Sequence, residues 1–92
     1  MEQNNFDSSE QFIQTAKKYA DEIIRGVVTP YEGGHRIWME CQLKLTSGDH
    51  RLDPFVYWAS EYEGTSEIGR LELCERALIV AADSLVSRGT AL

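Results

Sequence analysis

A chain of 92 residues with 42% apolar side chains has room for one hydrophobic core, and can fill it without a metal or a disulfide framework. The net charge of −6 excludes a phosphate-tracking surface, because counterion release from nucleic acid needs a basic stripe, and it weighs equally against an anionic membrane face. It suits a basic partner wherever the charge does more than keep the protein in solution.

No apolar run approaches the roughly 18 to 20 residues that a bilayer crossing needs. Residues 1–5 show neither the basic nor the apolar region of a secretory leader, so a cytoplasmic protein is the expectation. Cys41 and Cys74 have no C-x-x-C spacing and no histidine at ligand distance in sequence. Both fit apolar faces and read as reduced core residues, with a bridge between them left open by the sequence.

The helical spacing of Phe12, Ile13, Ala16, Tyr19, Ala20, Ile23, Ile24 and Val27 predicts a first helix over about 8–27, behind a frayed tail at 1–7. Ser8 with Gln11 offers a capping box, and Asp21 and Arg25 stand in the favourable i, i+4 order. The next helix opens almost at once. Thr29 is a cap, Pro30 loses only an N–H that would lack a partner, and Glu32 completes a Thr-x-x-Glu box. Because the residue before proline is pushed out of the α region, the chain must turn a sharp corner between helices 1 and 2. The second helix is expected over about 30–45, with Tyr31, Gly34, Trp38, Cys41 and Leu45 along one face. Gly33 and Gly34 each cost about 1 kcal/mol of helix propensity relative to alanine, which implies that another backbone or a ring comes close to them.

Residues 46–52 are polar around Gly48 and read as the longest loop. Asp53-Pro54-Phe55 then repeats the opening of helix 2 and starts a third helix over about 54–63. Phe55, Ala59 and Tyr62 point inward, Trp58 sits at the edge, and Leu52 and Tyr57 occupy the two positions of a hydrophobic staple. Gly64-Thr65-Ser66 ends that helix and caps a fourth, over about 67–88, stopped at Arg88-Gly89. In this last helix Ile68, Leu71, Cys74, Leu78, Ala81 and Leu85 form a stripe that Leu73, Val80 and Ile79 widen. Only Glu72, Arg76, Asp83 and Ser87 make a continuous polar strip, with Glu72 and Arg76 at i, i+4. A helix apolar over most of its circumference belongs in the middle of a bundle. The expected fold is therefore all-α: a single-domain compact bundle of four helices over 1–92, with the last helix central.

Few patterns carry chemistry. Glu32-Gly33-Gly34-His35 has the Glu-x-x-His spacing of di-iron bundles, but no second copy accompanies it, so no metal or cofactor is expected. There is no zinc-spaced cysteine set, P-loop or nucleophile elbow, and no spacing pairs a cysteine with His35 or His50. No catalytic residue is assigned and a non-enzymatic protein is expected. Glu75 falls inside the apolar arc of helix 4 and needs either a salt bridge to Arg36, Arg51 or His35, or a place as the acid of a pocket. Met39 and Leu43 lie at i, i+4 on the outer side of helix 2, while Tyr57, Trp58, Glu61 and Glu63 gather aromatics and carboxylates on helix 3. Aromatic anchors ringed by acids suit a basic protein. The alternative is that Met39 and Leu43 are core, with Tyr57 used up in the staple.

Pro30-Tyr31-Glu32-Gly33 with Arg36-Ile37-Trp38, and Leu52 followed by Pro54-Phe55-Val56-Tyr57-Trp58-Ala59-Ser60-Glu61, resemble segments of a small bacterial family of helical proteins without established activity. The resemblance brings no catalytic residues with it. By class analogy with small acidic immunity proteins and antitoxins, the leading expectation is a protein-binding module masking a basic toxin or nuclease. Its contact residues would be Met39, Leu43, Tyr57, Trp58, Glu61 and Glu63, with no direct contact to nucleic acid. One rival is a small-molecule pocket or minor enzyme around Tyr31, Trp38, Trp58 and Glu75. Another is a structural homodimer pairing through Met39 and Leu43.

Overall fold

Residues 4–46 and 48–90 are described by the computed structural model. They form α1 (Asn4–Ile24), α2 (Pro30–Glu40), a 3-10 turn (Gln42–Lys44), α3 (Asp53–Glu63) and α4 (Ile68–Thr90), with no strand among them. The all-α bundle of four helices is as expected, and no helix among the described residues is long and apolar enough to cross a membrane.

The helix ends differ from expectation for local reasons. Of the tail at 1–7, residues 1–3 lie outside the described ones; α1 already runs from Asn4, so Ser8 lies inside the helix and not at its start. The helix stops before Val27 because Gly26 takes φ 77°. Its N–H bonds to the Ile23 carbonyl and the Val27 N–H to the Glu22 carbonyl, the paired bonds of a Schellman stop. At Thr29 the expected cap is present, Oγ1 accepting from the Glu32 N–H at 3.0 Å. The reciprocal half of the box is not made: the Glu32 carboxylate takes Arg36 at 3.2 Å instead.

The second proline opening works differently. Leu52, not Asp53, is the cap residue of α3, and it makes no side-chain bond; Asp53 lies in the first turn and faces His50 Nδ1 at 3.0 Å. Leu52 is fully buried in the core, while Tyr57, its expected staple partner, is 52% exposed. Helix α2 does not reach residue 45. At Cys41 (φ −122°, ψ −57°) it tightens into the 3-10 turn, and Thr46 bonds back to Ser9 of α1 at 2.8 Å. That bond, with Gln42 Nε2 donating to the Asp49 carbonyl at 3.5 Å, diverts the chain from the α-helical path. Helix α4 passes Gly89 to end at Thr90.

Contacts between helix ends make sequential neighbours antiparallel. Tyr19 Oη donates to Glu40 Oε1 at 2.5 Å between α1 and α2, and Tyr31 meets Glu63 between α2 and α3. Arg70 reaches Glu61 at 2.7 Å between α3 and α4. Arg51 ties the loop before α3 to α1, bonding Glu10 at 2.9 Å and the two Asp49 oxygens at 3.1 and 2.8 Å. The interior is built on Ile13, Ala16, Ala20 and Ile23 of α1, Phe55 and Ala59 of α3, and Cys74, Leu78, Ala82 and Leu85 of α4. Ile37 is the innermost side chain of α2; it lies one turn from Gly33 and Cys41, off the face that Tyr31 and Trp38 suggested.

The two glycines of α2 explain how close these helices come, but aliphatic side chains fill the space at both, not the backbone or ring expected. A Cβ on Gly33 would stand 2.4 Å from Ile23 Cγ1, and one on Gly34 would stand 2.8 Å from Leu78 Cδ2. Helix α4 packs against the other three, but it is covered on one side only. Ile68 (74%), Leu73 (42%), Ile79 (41%) and Val80 (67%) are exposed, contrary to the expected burial of that wide arc. The Glu72–Arg76 pair is not formed among the described residues. Both thiols are free and buried, and burial pushes Cys41 up to about 11 and Cys74 upward as well.

Candidate functional site

The capped, proline-started opening of α2 sets Tyr31 on the side of that helix facing the last turn of α3. His35 and Trp38 follow at the spacing that keeps one helix face. From α3, Tyr62 stacks on Tyr31 with ring centroids 4.7 Å apart and planes 14° from parallel. Tyr31 Oη donates to Glu63 Oε2 at 2.5 Å. His35 lies 5.6 Å from the Tyr31 ring, its Nε2 3.8 Å from the same Glu63 oxygen, and it meets Trp38 edge to face at 5.9 Å. The result is a continuous half-exposed aromatic seam between α2 and α3, with a carboxylate at one end.

Electrostatically the seam favours a cation. The bond to Glu63 pushes the Tyr31 phenol up to about 12, so at neutral pH it is a fixed donor and not a base. Glu61 and Glu63 occupy the last turn of α3, which carries no basic residue. Carboxylates there oppose the helix dipole, at roughly 0.3–1 kcal/mol each. Arg70 neutralises Glu61, whereas among the described residues Glu63 has only the Tyr31 hydroxyl and the His35 ring. A visiting guanidinium or ammonium would meet the carboxylate, the negative end of α3 and aromatic faces together.

The expected contact residues are only partly brought together. Met39 is 40% and Leu43 64% exposed, which removes the reading that they are core. Tyr57 is exposed and stands edge to face on Trp58 at 4.7 Å, while Trp58 packs half-buried against the core. Glu61 is engaged by Arg70 on the α4 side, away from Glu63. The grouping of Tyr31, Trp38 and Glu75 is not assembled. His35 links the first two, but no ring contact or hydrogen bond among the described residues joins Glu75 to them. None of its expected partners is available: Arg36 pairs with Glu32, Arg51 with Asp49 and Glu10, and His35 faces Glu63. A shallow cleft of about 80 Å³ lies elsewhere, between Arg51, Pro54, Phe55, Ala81, Ser84 and Leu85.

Two members of the seam, His35 and Tyr62, are not among the residues the sequence assigns to a site. The i, i+4, i+7 run of Tyr31, His35 and Trp38 is the signal that could have found His35; Tyr62 appeared only as an inward residue. Among the described residues no three histidine, cysteine or carboxylate side chains converge as a metal ion would require. No protein-family model, curated protein or solved structure matches this chain.

Proposed function

We propose that this protein is a non-enzymatic binding module that receives a basic protein partner on its α2–α3 face, in the manner of an immunity protein or antitoxin masking a basic toxin or nuclease. The observation that carries the reading is Glu63. It is a carboxylate at the C-terminal end of a helix, bordered by Tyr31, Tyr62 and His35, and paired with no arginine or lysine among the described residues. Met39, one turn beyond His35, adds exposed apolar area on α2, as does the exposed Leu43 of the 3-10 turn, and the net charge of −6 favours encounter with a basic partner.

The test is a titration with an arginine-rich peptide, read by the fluorescence of Trp38 and Trp58. Binding should weaken as salt rises and fall several-fold in Glu63→Gln, while Glu22→Gln, with the same change of net charge on α1, binds as the parent does. Equal losses in both variants would reduce the effect to net charge and remove the seam from the explanation.

A further inference from the structure

We infer that the outward side of α4 is a two-fold contact between two copies of this chain, in which Arg76 of each copy pairs with Asp83 of the other around a centre made by Ile79 and Val80. The starting point is the apolar surface that the bundle leaves uncovered. Leu73, Ile79 and Val80 are 42%, 41% and 67% exposed, and they belong to the face of α4 opposite Leu78, whose side chain packs on Gly34 of α2. Scattered exposed apolar residues are ordinary; a run of them along one face of the longest helix is not.

The choice of a second copy as the occupant comes from the charges. Arg76 and Asp83 are seven residues apart, close to two full turns, so they share the middle of the outward face within about 20° of each other. Ile79 and Val80 lie roughly 50° to either side of that line, and the midpoint between Arg76 and Asp83 falls between them. A two-fold axis lying in the contact plane at that level makes the two α4 helices antiparallel. It exchanges positions about 5 Å above the axis with those about 5 Å below it. Each Arg76 then stands opposite Asp83 of the other copy, Ile79 meets Ile79, and Val80 meets Val80. Opposite charges at equal distances from a pair of apolar residues form a self-complementary pattern, which is what an isologous interface requires.

A separate observation agrees. Arg25, Arg36, Arg51 and Arg70 each hold a salt bridge within the chain, whereas Arg76 and Asp83 hold none among the described residues. Glu72 stands one turn from Arg76 and leaves it unpaired. The 23 residues of α4 extend about 34 Å, long enough for an interface at the small end of the stable range. This face points away from α2, so pairing leaves the Tyr31–Tyr62 seam open.

Sedimentation equilibrium over a wide concentration range tests the inference on the full chain. The wild type should show a monomer–dimer equilibrium. Arg76→Asp and Asp83→Arg should each raise the dissociation constant by at least about tenfold, because each sets like charges against one another. The doubly exchanged variant R76D/D83R should bring it back to within about threefold of the wild type. All of these positions are exposed, and unchanged far-UV circular dichroism will show that the fold is kept. A wild type that stays monomeric at millimolar concentration overturns the inference, with or without some other protein bound to this face. So does a dimer indifferent to the single exchanges, or one that the double exchange fails to restore.

Discussion

Replacing Gly33 by alanine sets a gain against a loss that the structure allows to be weighed. Alanine gains about 1 kcal/mol of helix propensity over glycine in a helix interior. The new methyl group, however, would stand 2.4 Å from Ile23 Cγ1, 2.7 Å from Cδ1 and 3.2 Å from Val28 Cγ2. Ile23 is only 4% exposed. It is β-branched and stiff at χ1, and Cγ1 is bonded directly to its Cβ, so rotating the end of the chain cannot clear the contact. Either Ile23 leaves its rotamer or α1 backs away from α2, at about 1–3 kcal/mol for overpacking a filled core. The loss outweighs the gain by up to about 2 kcal/mol, a fall in Tm of up to about 15 °C for a domain of this size. Urea unfolding followed by tryptophan fluorescence and circular dichroism gives the number. Gly69→Ala is the control: nothing lies within 4 Å of that added Cβ, and the variant should be as stable as the parent or more so. If Gly33→Ala matches Gly69→Ala, then α1 and α2 do not approach as closely as described, and the reason given for the paired glycines fails.

The two proline openings make a contrasting pair: Thr29→Ala should lose about 1 kcal/mol with its cap bond, while Asp53→Ala, which removes no cap, should change stability by no more than a few tenths. Asp49 is held below its ordinary value of 3.8 by its hydrogen bonds to Arg51. Its contribution is present above that value and is lost as pH falls through the depressed one, so Asp49→Asn should flatten the acid limb of a stability–pH curve. The Tyr31 phenol is displaced the other way, up to about 12 by its bond to Glu63. That contribution is complete below pH 10 and lost as pH rises toward 12, and Tyr31→Phe should remove this alkaline loss in melts taken at high pH.

How much of this was legible in the sequence depended on whether the deciding interaction was local. The Thr29 cap, the corner before Pro30 and the Asp21–Arg25 pair each involve neighbours in the chain, and all are present. Gly26 was equally local and was passed over, because the apolar spacing of Ile23, Ile24 and Val27 continued across it. The close approach at Gly33 and Gly34 could be inferred from their cost, but not that Ile23 and Leu78 are what approaches. The end of α2 was not legible, since a bond from Thr46 to Ser9 on the distant α1 holds the chain there. Helix α4 misled for a different reason. Periodicity reports how much of a helix is apolar, not how much its own chain will cover, and Val80 and Ile79 look the same in either case. The seam was half visible: Tyr31, Trp38 and Glu63 stood out singly, but only the antiparallel pairing of α2 and α3 shows that Tyr62 stacks on Tyr31 and that Glu63 completes the group.

The decisive measurement is a comparison of what the wild type and a Tyr62→Ala, Glu63→Lys double variant retain from native cell lysate, washed at low and then raised salt and identified by quantitative mass spectrometry. A basic toxin-class or nuclease-class protein held by the wild type at low salt, shed at raised salt and missing from the variant is the outcome expected of an α2–α3 docking face. Equal retention by both baits, or nothing specific on either, would mean that the aromatic seam with Glu63 is not where this protein meets a partner.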